Sequence, residues 1–151
     1  MTAEADLHPK VEKIAMPYYQ GRPAIPKKRL LKMKTKIQKL KDGRNLAYAE
    51  YGNVKGIPVF YAHGGPGSSR EGQFFHEVAI KYGFWFIATD RPGMGDSTYL
   101  ENRTLLDYPR DISELADALD IDKFGVMGWS AGRRRIADSS NFPVTYLTQM
   151  Q

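Results

Sequence analysis

FGVMGWSAG, Phe124–Gly132, is the stretch whose reading decides the fold. Its first five residues, Phe124 to Gly128, are apolar or small and uncharged, as in a strand covered on both faces. Its last five, Gly128-Trp129-Ser130-Ala131-Gly132, spell G-x-S-x-G directly after that strand. The spacing has a steric reason. A serine at a strained strand-to-helix turn needs small residues two before and two after, so that neighbouring backbone can approach. A helix opened by such a turn aims its first N–H groups and positive dipole end at any oxyanion that forms beside the serine. Ser130 is therefore the candidate nucleophile, and the plainer reading is a polar turn residue.

Working upstream, two more runs have the same character. Ile57–Ala62 (IPVFYA) and Phe84–Thr89 (FWFIAT) read as buried strands. Each is broken by glycines, at His63-Gly64-Gly65-Pro66-Gly67 and at Asp90-Arg91-Pro92-Gly93-Met94-Gly95-Asp96-Ser97. Between the two strands, Arg70–Tyr82 has a helical pattern, with Phe74, Phe75, Val78 and Ala79 near one face and Gly83 as a stop. Between the second and third strands, Ile112, Leu115, Ala116 and Leu119 fall at i, i+3, i+4 and i+7. That is the stripe of an amphipathic helix, with Pro109 in its first turn and Asp107 as a candidate cap. Ahead of all of these, KIQKL and LAYAEYG flank Lys41-Asp42-Gly43-Arg44, where Asp-Gly signals a hairpin.

The order hairpin, strand, helix, strand, helix, strand predicts an α/β fold with a mainly parallel sheet. Ligands in such folds bind outside the carboxyl ends of the strands, where the glycine-rich breaks at 63–67, 93–95 and 128–132 should gather. Attack on an acyl carbon needs two backbone N–H donors for the tetrahedral oxygen. Ala131, next after the serine, supplies one, and the turn at 63–67 is placed to supply the other. His63 reads as a brace for its loop rather than as a general base.

HGGPG after one strand, DRPGMGDS after the next and GWSAG after a third together resemble the N-terminal half of the α/β-hydrolase superfamily. The likeness is to its HGGPG-loop branch, which includes proline iminopeptidases and related small-substrate hydrolases. It covers about residues 35–132. It implies a hairpin plus parallel strands with crossover helices, and an incomplete sheet. It further implies Ser130 as nucleophile, the N–H groups of Gly65 and Ala131 as oxyanion hole, and an ester, amide or peptide substrate cleaved through an acyl-enzyme. His63, Gly64, Pro66, Gly67, Asp90, Arg91, Pro92, Gly93, Gly95, Gly128 and Gly132 match structural positions of the motifs. The elbow reads GWSAG where proline iminopeptidases read GGSWG, which favours a general hydrolase assignment.

The family order of serine, acid and histidine is not completed. Of the 21 residues after Ser130, Asp138 is the sole acid and none is histidine. Arg133-Arg134-Arg135 puts charge where the elbow helix packs inside the fold, and burial of charge is costly unless it is paired. The expectation is an atypical tail at 133–151, from truncation, frameshift or gene decay. The strand at 124–128 is then an uncovered sheet edge, and the chain alone is close to inactive. His76, in an expected surface helix, and His8 are weak substitutes for the base.

Composition bounds the remaining classes. With no cysteine, disulfides, thiol catalysis and cysteine–metal sites are excluded, and His8, His63 and His76 are too scattered for a zinc site. No metal or cofactor is expected. No apolar run approaches the roughly 20 residues that span a bilayer, and the start has no signal-peptide core, so a cytoplasmic location is the default. Residues 1–46 hold 12 Lys/Arg against 4 Asp/Glu, and residues 47–151 hold 10 against 13. The basic character thus lies in an N-terminal, proline-containing arm, residues 1–34, and the run that follows it. A solvated extension is the plain reading of that arm. A nucleic-acid or anionic-surface binder is the alternative, weakened by the lack of aromatics among the lysines. A non-catalytic fragment or binding module is the third reading.

Overall fold

The computed structural model describes residues 34–132 and the backbone of Val144–Tyr146. The expected arm at 1–34 lies outside the described residues except for Lys34, as does Arg133–Arg135.

Three buried strands form where the apolar runs place them: β3 (Ile57–Ala62), β4 (Phe84–Thr89) and β5 (Phe124–Gly128). The hairpin comprises β1 (Lys36–Lys39) and β2 (Asn45–Gly52), antiparallel with Lys36 opposite Tyr48. Its turn is built as the Asp-Gly pair requires. Gly43 takes φ +89°, the Gly43 N–H donates to the Leu40 carbonyl at 3.0 Å, and Asp42 Oδ1 accepts from the Arg44 N–H at 3.0 Å.

The sheet has six strands in the order β1-β2-β4-β3-β5-β6, where β6 is Val144–Tyr146. β2 pairs β4 antiparallel, while β4, β3, β5 and β6 run parallel to one another. β6 corrects one expectation. The edge of β5 is not uncovered, because Phe124, Gly125 and Val126 stand opposite Val144, Thr145 and Tyr146. Among the described residues the sheet does not close, and β1 and β6 are its outer strands.

Period-2 alternation sends side chains to two cores. On one face Leu46, Tyr48, Phe60, Ile87, Phe124 and Val126 pack with Tyr108, Ile112, Leu115 and Ala116. The last four belong to α2 (Asp107–Ala118), whose buried stripe is the one the spacing predicts. Each fully buried side chain of this size contributes about 1.5–3 kcal/mol. Phe60 and Phe124 meet edge-on, with ring centroids 4.8 Å apart. Asp107 is not the cap of α2. It is the first helical residue, and its carboxylate reaches back to accept from the Thr104 N–H at 2.6 Å and the Thr104 hydroxyl at 2.9 Å.

The other face packs Tyr51, Val59, Tyr61, Phe86 and Ala88 against Ala79 and Phe75. Here the single helix expected over Arg70–Tyr82 is replaced by a 3-10 segment, Ser69–Phe75, and a short helix α1, His76–Tyr82. At Gly72 an added Cβ would lie 2.4 Å from the Tyr51 ring and 2.8 Å from the Ala88 methyl. The missing side chain seats the tighter segment directly on the sheet. The change of winding leaves Phe75 and Ala79 inward, while Phe74 and Val78 are exposed. Gly83 ends α1 in the left-handed region at φ +71°, as its sequence position predicts.

Candidate active site

β4 lies on one side of β3 and β5 on the other. The connection leaving β3 runs to β4 over one face and that leaving β4 runs back past β3 to β5 over the other, so the connections part at the carboxyl ends, where ligands of such folds bind. The three glycine-rich breaks meet there. The Trp129 N–H donates to the Ala62 carbonyl at 3.1 Å, tying the end of β5 to the end of β3. The Arg91 N–H donates to His63 Nε2 at 3.2 Å, and Arg91 Nη2 donates to the Gly64 carbonyl at 2.8 Å, tying the end of β4 to the same turn.

Ser130 stands after β5 at φ +50°, in the left-handed region that L-residues with a side chain seldom adopt. It is exposed, and the chain resumes in helical form at Ala131 and Gly132. The Gly132 N–H donates to the Trp129 carbonyl at 2.8 Å, closing a tight turn around the serine. Gly132 is buried against β3, where an added Cβ would come within 2.2 Å of the Ala62 carbonyl oxygen and 2.9 Å of that of His63. The HGGPG turn faces the same point. A Cβ on Gly64 would lie 2.9 Å from Trp129 Cδ1 and 3.6 Å from Ser130 Cβ. Gly65 is exposed beside it, joined to Pro66 by a cis peptide bond.

His63 is fully buried. Because Nε2 accepts from Arg91, Nδ1 carries the proton and donates to the Gly64 carbonyl at 2.7 Å. Burial pushes the imidazole below its ordinary range. Both nitrogens are committed to these two partners. His76 is also engaged, since its Nδ1 accepts from the Gly52 N–H at 3.0 Å.

Asp90 is buried at the centre of its own loop. Its carboxylate accepts from the Ser69 N–H and, at 3.0 Å, from the Asp96 N–H, while its carbonyl accepts from the Ser97 hydroxyl at 2.8 Å. Gly95, at φ +52°, must lack a side chain because a Cβ would sit 2.0 Å from Asp90 Oδ2. Gly93 likewise has positive φ, and the Pro92 carbonyl accepts from Arg103 Nη1 at 2.6 Å. Asp90–Gly95 is thus a tightly wound loop, joined to the HGGPG turn through Arg91.

Two residues of the site were not legible beforehand. Glu71 puts Oε1 2.0 Å from where a Cβ on Gly67 would stand, and its Oε2 accepts from the Tyr61 hydroxyl at 2.9 Å. Burial, and then this bond, push the Tyr61 hydroxyl above the tyrosine range, so it stays a donor. The available signal was the proximity of Ser-Ser-Arg-Glu-Gly to HGGPG. A groove of about 280 Å³ opens nearby between Ser68–Arg70, Asp90 and Asp96, and it includes none of the GWSAG residues.

A family model described as alpha/beta hydrolase fold matches residues 57–132, the span from β3 to the end of this turn. The chain belongs to the α/β-hydrolase fold family. The α/β-hydrolase chain is 32% identical over 97 residues to a non-heme chloroperoxidase from Streptomyces lividans, covering 64% of this chain and 35% of that protein. It is 38% identical over 96 residues to a proline iminopeptidase from Xylella fastidiosa, covering 60% and 30%. Epoxide hydrolase A from Mycobacterium thermoresistibile superposes with a TM-score of 0.64 at 20% identity, covering 71% and 34%, a likeness of fold. The chain spans about a third of the length of the curated relatives it matches. No helix among the described residues is long and apolar enough to cross a membrane.

Proposed function

We propose that this chain carries the nucleophile and oxyanion-binding part of a serine hydrolase that cleaves an ester, amide or peptide bond through an acyl-enzyme. The observation that carries the proposal is Ser130 at φ +50° between β5 and a helical turn, with the Gly64 backbone alongside. In the proposed reaction Ser130 Oγ attacks the acyl carbon. The developing oxyanion accepts hydrogen bonds from the N–H groups of Gly65 and Ala131, the leaving group departs with a proton, and water later releases the acyl group. Donors of this kind are each worth about 10²–10³ in rate.

The same proposal gives the loops their roles. His63 and Arg91 hold the Gly64 carbonyl, which turns the rest of HGGPG toward Ser130. Gly132 lets the serine turn press onto β3. A small-molecule or peptide substrate in the cytoplasm is the setting proposed. The two curated relatives have names for different reactions, so the substrate class stops at the bond type.

The two histidines among the described residues are committed elsewhere, so Ser130 has no histidine base among them. General-base catalysis contributes about 10²–10⁴-fold, and turnover by this chain alone is accordingly expected to be slow. That observation also favours the second reading, a non-catalytic binding module. A fluorophosphonate probe followed by peptide mass mapping separates the two. Labelling confined to Ser130 and lost in Ser130→Ala supports the hydrolase. Intact, folded protein that never labels supports the binding module.

A further inference from the structure

Trp129 is held more firmly than its exposure suggests. It keeps 65% of its surface exposed, yet its N–H donates to the Ala62 carbonyl at 3.1 Å and its carbonyl accepts from the Gly132 N–H at 2.8 Å. The indole is also located. Its Cδ1 lies 2.9 Å from the position of a Cβ on Gly64, the same point that is 3.6 Å from Ser130 Cβ. An isolated aromatic on a protein surface needs no explanation. This one is next in the chain to the proposed nucleophile and packs on the turn proposed to bind the oxyanion. A tryptophan brings a large apolar face with few rotatable bonds, so little entropy is lost when a ligand ring stacks on it.

Resting on the hydrolase reading, we propose that Trp129 is the specificity-determining wall of the acyl site, selecting substrates with an aromatic or similarly flat apolar group beside the scissile bond. Ring-on-ring packing of this kind corresponds to about 3–10-fold in binding or rate beyond simple burial.

Two sulfonyl fluorides that differ only in the group beside sulfur test the proposal. On the carbon bonded to sulfur, phenylmethanesulfonyl fluoride carries a phenyl ring and methanesulfonyl fluoride a hydrogen. Each sulfonylates serine by forming an Oγ–S bond and expelling fluoride, with the hydroxyl proton passing to water. The ratio of the two labelling rates at Ser130 should fall about 3–10-fold in Trp129→Ala and much less in Trp129→Phe. Circular dichroism checks that each variant is folded. An unchanged ratio in a folded Trp129→Ala chain that still labels would overturn the Trp129 proposal and leave the hydrolase reading standing.

A second readout is independent of serine chemistry. Phenylmethanesulfonamide, which does not react, should change the tryptophan emission of the parent chain and not that of Trp129→Phe. Absence of that change overturns the proposal even if Ser130 labels. Its presence without any labelling sustains the aromatic site and removes the hydrolase reading.

Discussion

Replacing Gly132 with alanine should strike the turn on which the proposed chemistry rests. The added Cβ would stand 2.2 Å from the Ala62 carbonyl oxygen and 2.9 Å from the His63 carbonyl oxygen. Both are backbone atoms at the end of β3, a strand paired on both sides, so neither can swing away as a side chain would. Restoring ordinary contact requires a displacement of about 1 Å between the serine turn and the sheet. Overpacking of this kind costs about 1–3 kcal/mol. For a domain of roughly this size that lowers Tm by about 5–20 °C. A misplacement of about 1 Å near reacting atoms also costs on the order of 10²-fold in rate. Thermal melts followed by circular dichroism, with fluorophosphonate labelling of Ser130 on the folded fraction, measure both effects. Gly43→Ala is the comparison for backbone strain without crowding, since Gly43 takes φ +89° and an added Cβ there meets nothing within 4 Å. If Gly132→Ala melted and labelled like the parent, the close seating of the turn on β3 would be wrong.

Ser130→Gly should abolish labelling while raising stability by about 1 kcal/mol in denaturant titrations, because glycine tolerates the left-handed backbone. An equal or lower stability would argue against strain at the serine. Asp111→Ala removes the carboxylate that accepts from both Arg44 Nη1 at 2.9 Å and Nη2 at 2.6 Å, while Asp42 still accepts from Arg44 Nε at 2.7 Å, and should cost about 1–3 kcal/mol. The double change Arg44→Met with Asp111→Leu should recover much of that loss, as urea titration would show.

Tyr61→Phe breaks the bond to Glu71 and should cost about 1 kcal/mol in the same titration, with slower labelling of Ser130. His63 sets a pH dependence. Its folded value is depressed by burial, so the unfolded chain binds the extra proton first. Stability should therefore fall as pH drops below the unfolded value near 6.5 and level off beneath the folded value, with a slope of at most about 1.4 kcal/mol per pH unit. Melts between pH 8 and 5 should show this slope in the parent and a shallower one in His63→Gln.

The strands, the hairpin and the buried stripe of α2 were legible residue by residue. A run such as IPVFYA fits a strand covered on both faces, and Asp-Gly fits a tight turn. The candidate site was legible as a set of glycine-rich breaks after strands. Its interior was less so, because Glu71, Tyr61 and the exposed indole of Trp129 carry no local pattern. Their roles come from residues brought together across the sheet. The division of Arg70–Tyr82 was likewise hidden, as was the close seating of Gly72 on the Tyr51 ring, a contact between residues far apart in the chain. So was β6, which needs β5 as a template before three residues can pair.

Sequence by itself determined the three buried strands, the hairpin and the buried stripe of α2, because those follow from periodicity and backbone freedom within a few residues. Tertiary structure alone decided that Ser130 and Gly64 stand side by side, that His63 spends both nitrogens on Gly64 and Arg91, and that β5 is paired. Such facts depend on distances between residues far apart in the chain, which only the packed sheet sets.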